Sequence, residues 1–398
     1  MARRADAVAP AIDRSTLRDS ALHPVADKIV AGERLDDADA LTLYQSSDLL
    51  GIGFLADAVN RARHGDIVTF AANQHINPTN VCVLRKTCVF CGYARLPKEE
   101  GAYRYTLEQV LAEAEQARGG LTREFHIVGG LDMQAGLEYY TTMFRALKRE
   151  FPQVHIKGLT AVEIAHLARI EKMSWRDVLI ALKDAGLDTM PGGGAETFSL
   201  AVREQIADKK LGGADFIGVH RTAHELGIRT NCTMLYGHVE TFADRVAHMR
   251  MLRDLQDETG GFLAFIPLAY HPDDNVLGIR LGRQGMASTG FDDLRNLAVA
   301  RLYLDNFAHI KSHWIMVTPF LTQTSLSFGV NDIEGTVVRE KIYHAVGAQT
   351  PQALSLDQLL KLIRGARKTP AERDSFYNIV RVFDGPASDP DQLASVAA

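Results

Sequence analysis

Three of the chain's four cysteines fall within ten residues, in the run His75-Ile-Asn-Pro-Thr-Asn-Val-Cys82-Val-Leu-Arg-Lys-Thr-Cys88-Val-Phe-Cys91-Gly-Tyr93. Thiolates are soft ligands suited to zinc and to iron–sulfur clusters. A closed structural zinc site takes four ligands, and only three cysteines crowd together here. Cys232 lies far off, inside an apolar run that reads as a strand, where a buried thiol suits packing. Three thiolates on a four-iron cluster leave one iron open to an exogenous ligand. Two readings stand at this point: a cluster with an open iron, or a zinc ion completed by His75 or another histidine. So few cysteines, most of them clustered, argue against a secreted disulfide scaffold and for a reducing compartment, the cytoplasm.

Such a site needs a scaffold that brings loops to one face. After residue 66, β-rich runs alternate with amphipathic stretches. The expected strands are Asp66–His75, Glu124–Gly129, Val154–Leu159, Leu187–Pro191, Arg229–Tyr236, Gly261–Ala269, His309–Val317 and Ser325–Val330. Several are apolar with little alternation, as in parallel sheets covered on both faces. Helical periodicity recurs between them, at Leu107–Ala117, Leu137–Arg149, Met173–Ala185, Ala243–Leu255 and Asp292–Asn306. Ser174 supplies a cap for the third of these and Gly186 a stop. About eight strand–helix repeats predict an α/β fold, a (β/α)8 TIM-type barrel, ahead of a doubly wound open sheet. The cysteines then follow the first strand, at the C-terminal face where such barrels carry their sites.

Around the barrel, residues 66–346, we expect an N-terminal helical extension over 21–65, with helices near Asp37–Leu49 and Phe54–Arg63. A C-terminal helical cap over 347–385 follows, with a helix at Leu356–Arg367. Residues 1–20 and 386–398 read as flexible tails, the first interleaving arginines with aspartates rather than carrying an apolar targeting core. The 398 residues are 46% hydrophobic and 23% charged, ordinary for a globular chain, and the net charge of −5 gives no basic excess to recruit nucleic acid. No apolar run is long enough to span a bilayer.

The cysteine segment resembles the cluster loop of the radical S-adenosylmethionine superfamily, down to the aromatic Phe90 before the last cysteine. The usual spacing there has three residues between the first two cysteines; this chain has five. Gly129-Gly130, after the second strand, matches that superfamily's glycine-rich turn beside the cofactor's amino group. Thr160-Ala-Val-Glu163, Pro191-Gly-Gly-Gly-Ala-Glu196, Gly-His238-Val-Glu240, Tyr-His271-Pro, Lys311-Ser-His313-Trp314, Asn331-Asp332-Ile-Glu334-Gly-Thr and Pro370-Ala-Glu-Arg373-Asp-Ser-Phe-Tyr377 together resemble the aminofutalosine synthase family of the futalosine route to menaquinone. This resemblance covers about residues 28–381. It implies a [4Fe–4S] cluster on Cys82, Cys88 and Cys91, and S-adenosylmethionine consumed as a substrate beside Phe90, Tyr93, Gly129, Gly130, Glu163 and Glu196. It implies transfer of an adenosyl radical to 3-[(1-carboxyvinyl)oxy]benzoate, with His238, Glu240, His271, Asn331 and Asp332 as catalytic candidates. An external one-electron reductant such as flavodoxin or ferredoxin is implied as well. Relatives that act in dehypoxanthine futalosine cyclisation or deazaflavin synthesis share part of the pattern.

The residues themselves leave each assignment open. Glu163 and Glu196 could face the barrel mouth or favour a helix N-terminus. His238 with Glu240 could be a hydrogen-bonded structural pair. His271 and His313 could be satisfied core histidines. Asn331-Asp332 is good turn chemistry, and Arg373 and Tyr377 could simply close the barrel.

Overall fold

The computed structural model describes residues 10, 12–283, 285, 288–338 and 340–383; the expected tail at 386–398 and most of residues 1–11 lie outside this set. Eleven strands occur among the described residues: β1 (Ile67–Phe70), β2 (Asn73–Ile76), β3 (Glu124–Ile127), β4 (His155–Gly158), β5 (Thr189–Met190), β6 (Arg229–Tyr236), β7 (Phe262–Ala269), β8 (His309–Ser312), β9 (Asp332–Ile333), β10 (Thr369–Arg373) and β11 (Ile379–Val382). From β2 to β9 each strand pairs in parallel with the next, and β9 pairs in parallel with β1. Only Ala71 and Ala72 separate β1 from β2, so the two ends of this ladder are one bent strand and the sheet curls round on itself as a barrel.

Helices cover the outside, each set by local chemistry. Thr106, Thr160, Thr241 and Ser355 open helices with capping boxes, and Ser174 caps Trp175–Asp184 as the sequence predicts. Nearly every residue of β6 and β7 is buried, which explains the unbroken apolar run of β7. Cys232 is buried in β6, where its thiol reaches only the carbonyl of Ala264 at 3.8 Å, as expected for a packing cysteine.

Four expectations are corrected. The strand expected over Asp66–His75 is two, because the chain changes partners at its midpoint: the Ala71 carbonyl accepts from Thr336, and that of Ala72 from Arg123. His309–Val317 is strand only to Ser312; Trp314–Val317 is a helical turn, with the indole N–H donating to the carbonyls of Glu334 and Gly335 at 3.0 Å. Ser325–Val330 ends a helix (Pro319–Ser325) and turns at Gly329, whose φ is +87°, so the eighth barrel strand begins later, at Asp332. Both errors have one cause: in a short, fully buried apolar run, periodicity does not separate strand from helix. The C-terminal segment is not all helical either. After Leu356–Gly365, β10 pairs in parallel with β1 and antiparallel with β11. At the other end, a helix at Leu22–Val30 precedes the two expected ones. Part of the presumed N-terminal tail is tied down, since Leu17 is buried, the Arg18 N–H donates to Asp48 and Ser46 donates to Asp19.

Candidate functional site

The loop after β2 carries the cysteines. The Cys82 N–H donates to the Arg95 carbonyl, the Cys88 N–H to Leu84 at 2.9 Å and the Cys91 N–H to Cys88 at 3.1 Å. The five residues between the first two cysteines coil into successive turns, closed by Arg85 on Cys82 and Thr87 on Leu84, so the long spacing is taken up locally. Val83 is pinned to Leu131, and Val89 is held between Ile206 and Leu277. All three cysteines line one cavity at the strands' C-terminal ends. Cys88 is buried in an apolar wrap of Val202, Ile206, Leu235, Tyr270 and Leu277. Burial pushes its thiol up to about 12 and raises that of Cys82, so both keep their protons until a metal displaces them.

The donor set can be tested against the two metals. Among the described residues no three His, Cys, Asp or Glu side chains are gathered closely enough to hold a single metal ion. Three soft thiols lining one cavity are a donor set that suits an iron–sulfur cluster.

Successive loops build the rest of the mouth. Gly129 and Gly130 line the cavity. A Cβ at Gly130 would stand 2.2 Å from the Val81 carbonyl oxygen, and one at Gly129 2.8 Å from that of Thr79. The close approach they permit is therefore to the cysteine loop itself. Glu163 plays both parts proposed for it. It closes the capping box of its helix through Thr160, and its other oxygen accepts the Gly129 N–H at 2.9 Å. Burial raises this carboxyl to about 7, against the pull of those donors.

After β5, Gly192–Gly194 lead to Glu196, held at φ +52°, a conformation that non-glycine residues seldom adopt. Its carbonyl accepts the Leu235 N–H and its carboxylate pairs with Lys210. The sequence reading missed Lys210, because Asp208-Lys-Lys210 looks like a solvated charge run. In the fold its ammonium is buried, 5.4 Å from the centre of the Phe90 ring. Burial opposes its charge, but Glu196 outweighs that and holds its pKa up. Phe90 lines the cavity, and so does Tyr93, whose hydroxyl meets that of Tyr103 at 2.6 Å.

Among the catalytic candidates, His271 lines the cavity, its Nε2 3.0 Å from the Met316 carbonyl. His238, Glu240, Asn331 and Asp332 do not line it. Glu240 accepts the N–H groups of Gly237 and His238 and pairs with Arg245, while His238 Nδ1 accepts the Val239 N–H. That knot fixes the turn after β6. Asn331 precedes and Asp332 opens β9 rather than closing a strand, which corrects their expected position and puts them at the strand's N-terminal end. Asp332 is fully buried and holds Arg373 at 2.8 and 3.0 Å, with Thr69 and Tyr377 donating to it. Asn331 accepts from Arg301 at 2.6 Å.

Comparison with known proteins adds a second line. The Radical SAM superfamily matches residues 76–252, and the CofH/MqnC C-terminal region matches 259–384. The chain is 48% identical to the aminodeoxyfutalosine synthase of Thermus thermophilus, over 92% of this chain and 98% of that one. It is 42% identical to that of Streptomyces coelicolor, over 90% and 94%. The cyclic dehypoxanthine futalosine synthase of Streptomyces coelicolor is 38% identical over 93% and 91%. Methylornithine synthase has the same fold at a TM-score of 0.69 and 17% identity, over 87% of this chain and 97% of that one.

Proposed function

Because this chain belongs to the radical SAM superfamily, in the branch that includes the aminodeoxyfutalosine synthases, and so works with a [4Fe–4S] cluster and S-adenosylmethionine, we propose that it joins a 5′-deoxyadenosyl group to 3-[(1-carboxyvinyl)oxy]benzoate. With one water consumed, the products are 6-amino-6-deoxyfutalosine, methionine, bicarbonate and a proton. The observation that carries this reading is the single cavity shared by three thiols and by the loops after β3, β4 and β5.

In this reading Cys82, Cys88 and Cys91 hold three irons. When bound, the cluster would supply one electron to the sulfonium of S-adenosylmethionine, whose C–S bond would then break to give methionine and a carbon radical. The chain's own residues position the reactants and keep water out. Glu163 holds the Gly129 N–H and so the turn that lies against the cysteine loop. Gly192 packs on the Cys232 backbone and Gly194 on Val162, which brings Glu196 to the cavity; Glu196 and Lys210 are the polar partners of the cofactor's adenosyl part. Phe90 and the apolar wrap around Cys88 shield the cluster edge, and Tyr93 braces the loop through Tyr103. His271 contacts the acceptor. His238 and Glu240 serve through the turn they fix, Asn331 and Asp332 through the barrel base.

The electron comes from an external carrier such as flavodoxin or ferredoxin. All four cysteines are free thiols, which suits the cytoplasm. No helix among the described residues is long and apolar enough to cross a membrane.

The test is direct. Reconstituted without oxygen, the protein should be brown with about four irons per chain. With dithionite, S-adenosylmethionine and carboxyvinyloxybenzoate it should release methionine and aminodeoxyfutalosine. Free 5′-deoxyadenosine without the adduct would refute the acceptor; a colourless protein with one zinc would refute the cluster.

A further inference from the structure

The cavity has a second, deeper part. The cysteines and glycines sit on loops beyond the strand ends, but His75 of β2, His126 of β3 and Asn231 of β6 line the same cavity from within the strands. His313 joins them from the residue after β8. The His75 and His126 rings stack at 4.6 Å. The His313 ring stands 5.7 Å from that of Tyr343, and its Nε2 lies 3.7 Å from a Glu334 oxygen.

Two imidazole nitrogens of this group, His75 Nε2 and His313 Nδ1, are buried without a hydrogen-bond partner and can donate to a carboxylate, whereas the unpaired Asn231 Oδ1 can only accept. Unpaired buried polar atoms are costly, and several around one cavity point to a ligand that pairs them. The fixed cations nearby are spoken for: Lys157 by Glu124, Lys311 by Glu334 and Asp332, Arg373 by Asp332, Lys210 by Glu196. An entering carboxylate therefore meets imidazoles.

We propose that His75 and His313 recognise the ring carboxylate of the aromatic acceptor, and that His313 takes up a proton as the acceptor binds. The inference rests on the function proposed above and deepens it. The reacting double bond must face the adenosyl carbon near the cysteines, which leaves the benzoate end for the deeper part of the cavity. Tyr343, beside both His313 and His271, offers a face for the ring. Before binding, His313 is neutral, since burial holds it down to about 4. Glu334 and Glu340 favour its protonation, while Lys311 from β8 and His75 from β2 oppose it. The same two carboxylates, with Glu124, and the same lysine act on His75. A bound carboxylate adds a further negative charge, on the side of His313 away from Glu334. The imidazolium then bridges two anions.

The experiment is calorimetric titration of the cluster-loaded enzyme, with S-adenosylmethionine present and no reductant. The titrant is 3-[(1-carboxyvinyl)oxy]benzoate, in two buffers of different ionisation enthalpy near pH 7.5. Wild-type enzyme should take up about one proton per acceptor bound. His75→Gln and His313→Gln should each raise the Kd about tenfold or more, with iron content and S-adenosylmethionine affinity retained. The acceptor's ring-carboxylate methyl ester should bind wild type weakly and His313→Gln no worse than wild type. The ester and proton-uptake measurements need no variant, so a misfolded variant does not shield the idea. Unchanged Kd in both variants, or wild-type binding without proton uptake, overturns the subsite alone. Wild-type enzyme that does not bind the acceptor at all overturns the proposed function, and the subsite with it.

Discussion

The two ends of this barrel are held together by different physics. At the mouth, the cysteine loop is organised by backbone hydrogen bonds, turns within residues 80–95 and a few anchors to Leu131, Ile206 and Leu277, with Arg85–Glu99 a half-exposed ion pair beside it. At the base, charges from far apart in the chain meet in a buried network. Glu124 pairs with Lys157 at 2.6 Å and accepts from Ser375, and Asp332 takes Arg373 and Lys311. Lys157 and Arg373, outweighing burial, hold the Glu124 carboxyl down to about 2. The mouth presents ligand groups on short-range turns, whereas the base closes the barrel, and removing one charge there strands its partner. Stability and chemistry should therefore be lost separately at the two ends.

The largest effect expected is on chemistry without loss of fold. Cys88→Ala should bring iron content close to zero and product formation below detection. Its unfolding midpoint in urea should move little, because the side chain sits in a small satellite cluster rather than the main core. Unchanged iron would break the ligand assignment. The counterpart at the base is Asp332→Ala, which leaves Arg373 buried and uncompensated. It should cost about 3–5 kcal/mol, read from urea denaturation of the apoprotein. A loss below about 1 kcal/mol, the range of exposed pairs, would mean that the base is solvated and that the contrast fails.

That contrast also explains what could be read from the chain. The cysteines, Phe90, Gly129-Gly130 and the Thr160–Glu163 box are local patterns, and local patterns carry their chemistry in their spacing. The barrel was legible for a similar reason: β6 and β7 are long buried runs bounded by capped helices. Asp332 was not, because its meaning depends on Arg373, 41 residues later, arriving through β10, and because the misread run at Ser325–Val330 put it at the wrong end of a strand. Lys210 was hidden by its neighbours, since only the fold turns one of two adjacent lysines inward over Phe90. His126 looks unremarkable until parallel pairing of β2 with β3 sets it beside His75.

A smaller effect should report on the base by pH. Burial holds His309, at the base beside Asp332, down to about 3. Its folded pKa lies below the unfolded value near 6.5, so its neutral form contributes stability that is intact above pH 6.5 and is lost as pH falls toward 3. The slope is about 1.4 kcal/mol per pH unit per group within that window. Melting temperature should therefore fall between pH 6.5 and 4.5, and His309→Gln should flatten the fall. A flat wild-type profile over that range would show that the ring is not buried neutral.

The finest test compares two glycines. A methyl group at Gly130 would meet the Val81 carbonyl oxygen at 2.2 Å, whereas Gly212 has open space where its Cβ would lie. Neither residue has a positive φ, so the pair isolates crowding from backbone strain. Gly212→Ala should be silent in both stability and iron content. Gly130→Ala must push residues 80 and 81 aside, a cost of about 1–3 kcal/mol, and those residues lead directly into Cys82. If the mouth works as a set of short-range turns, that strain should appear less in the urea midpoint than in the cluster. Iron occupancy and S-adenosylmethionine affinity should fall while the base stays intact. Equal loss of urea stability in Gly130→Ala and Asp332→Ala, with iron retained in both, would show that the two ends unfold as one unit.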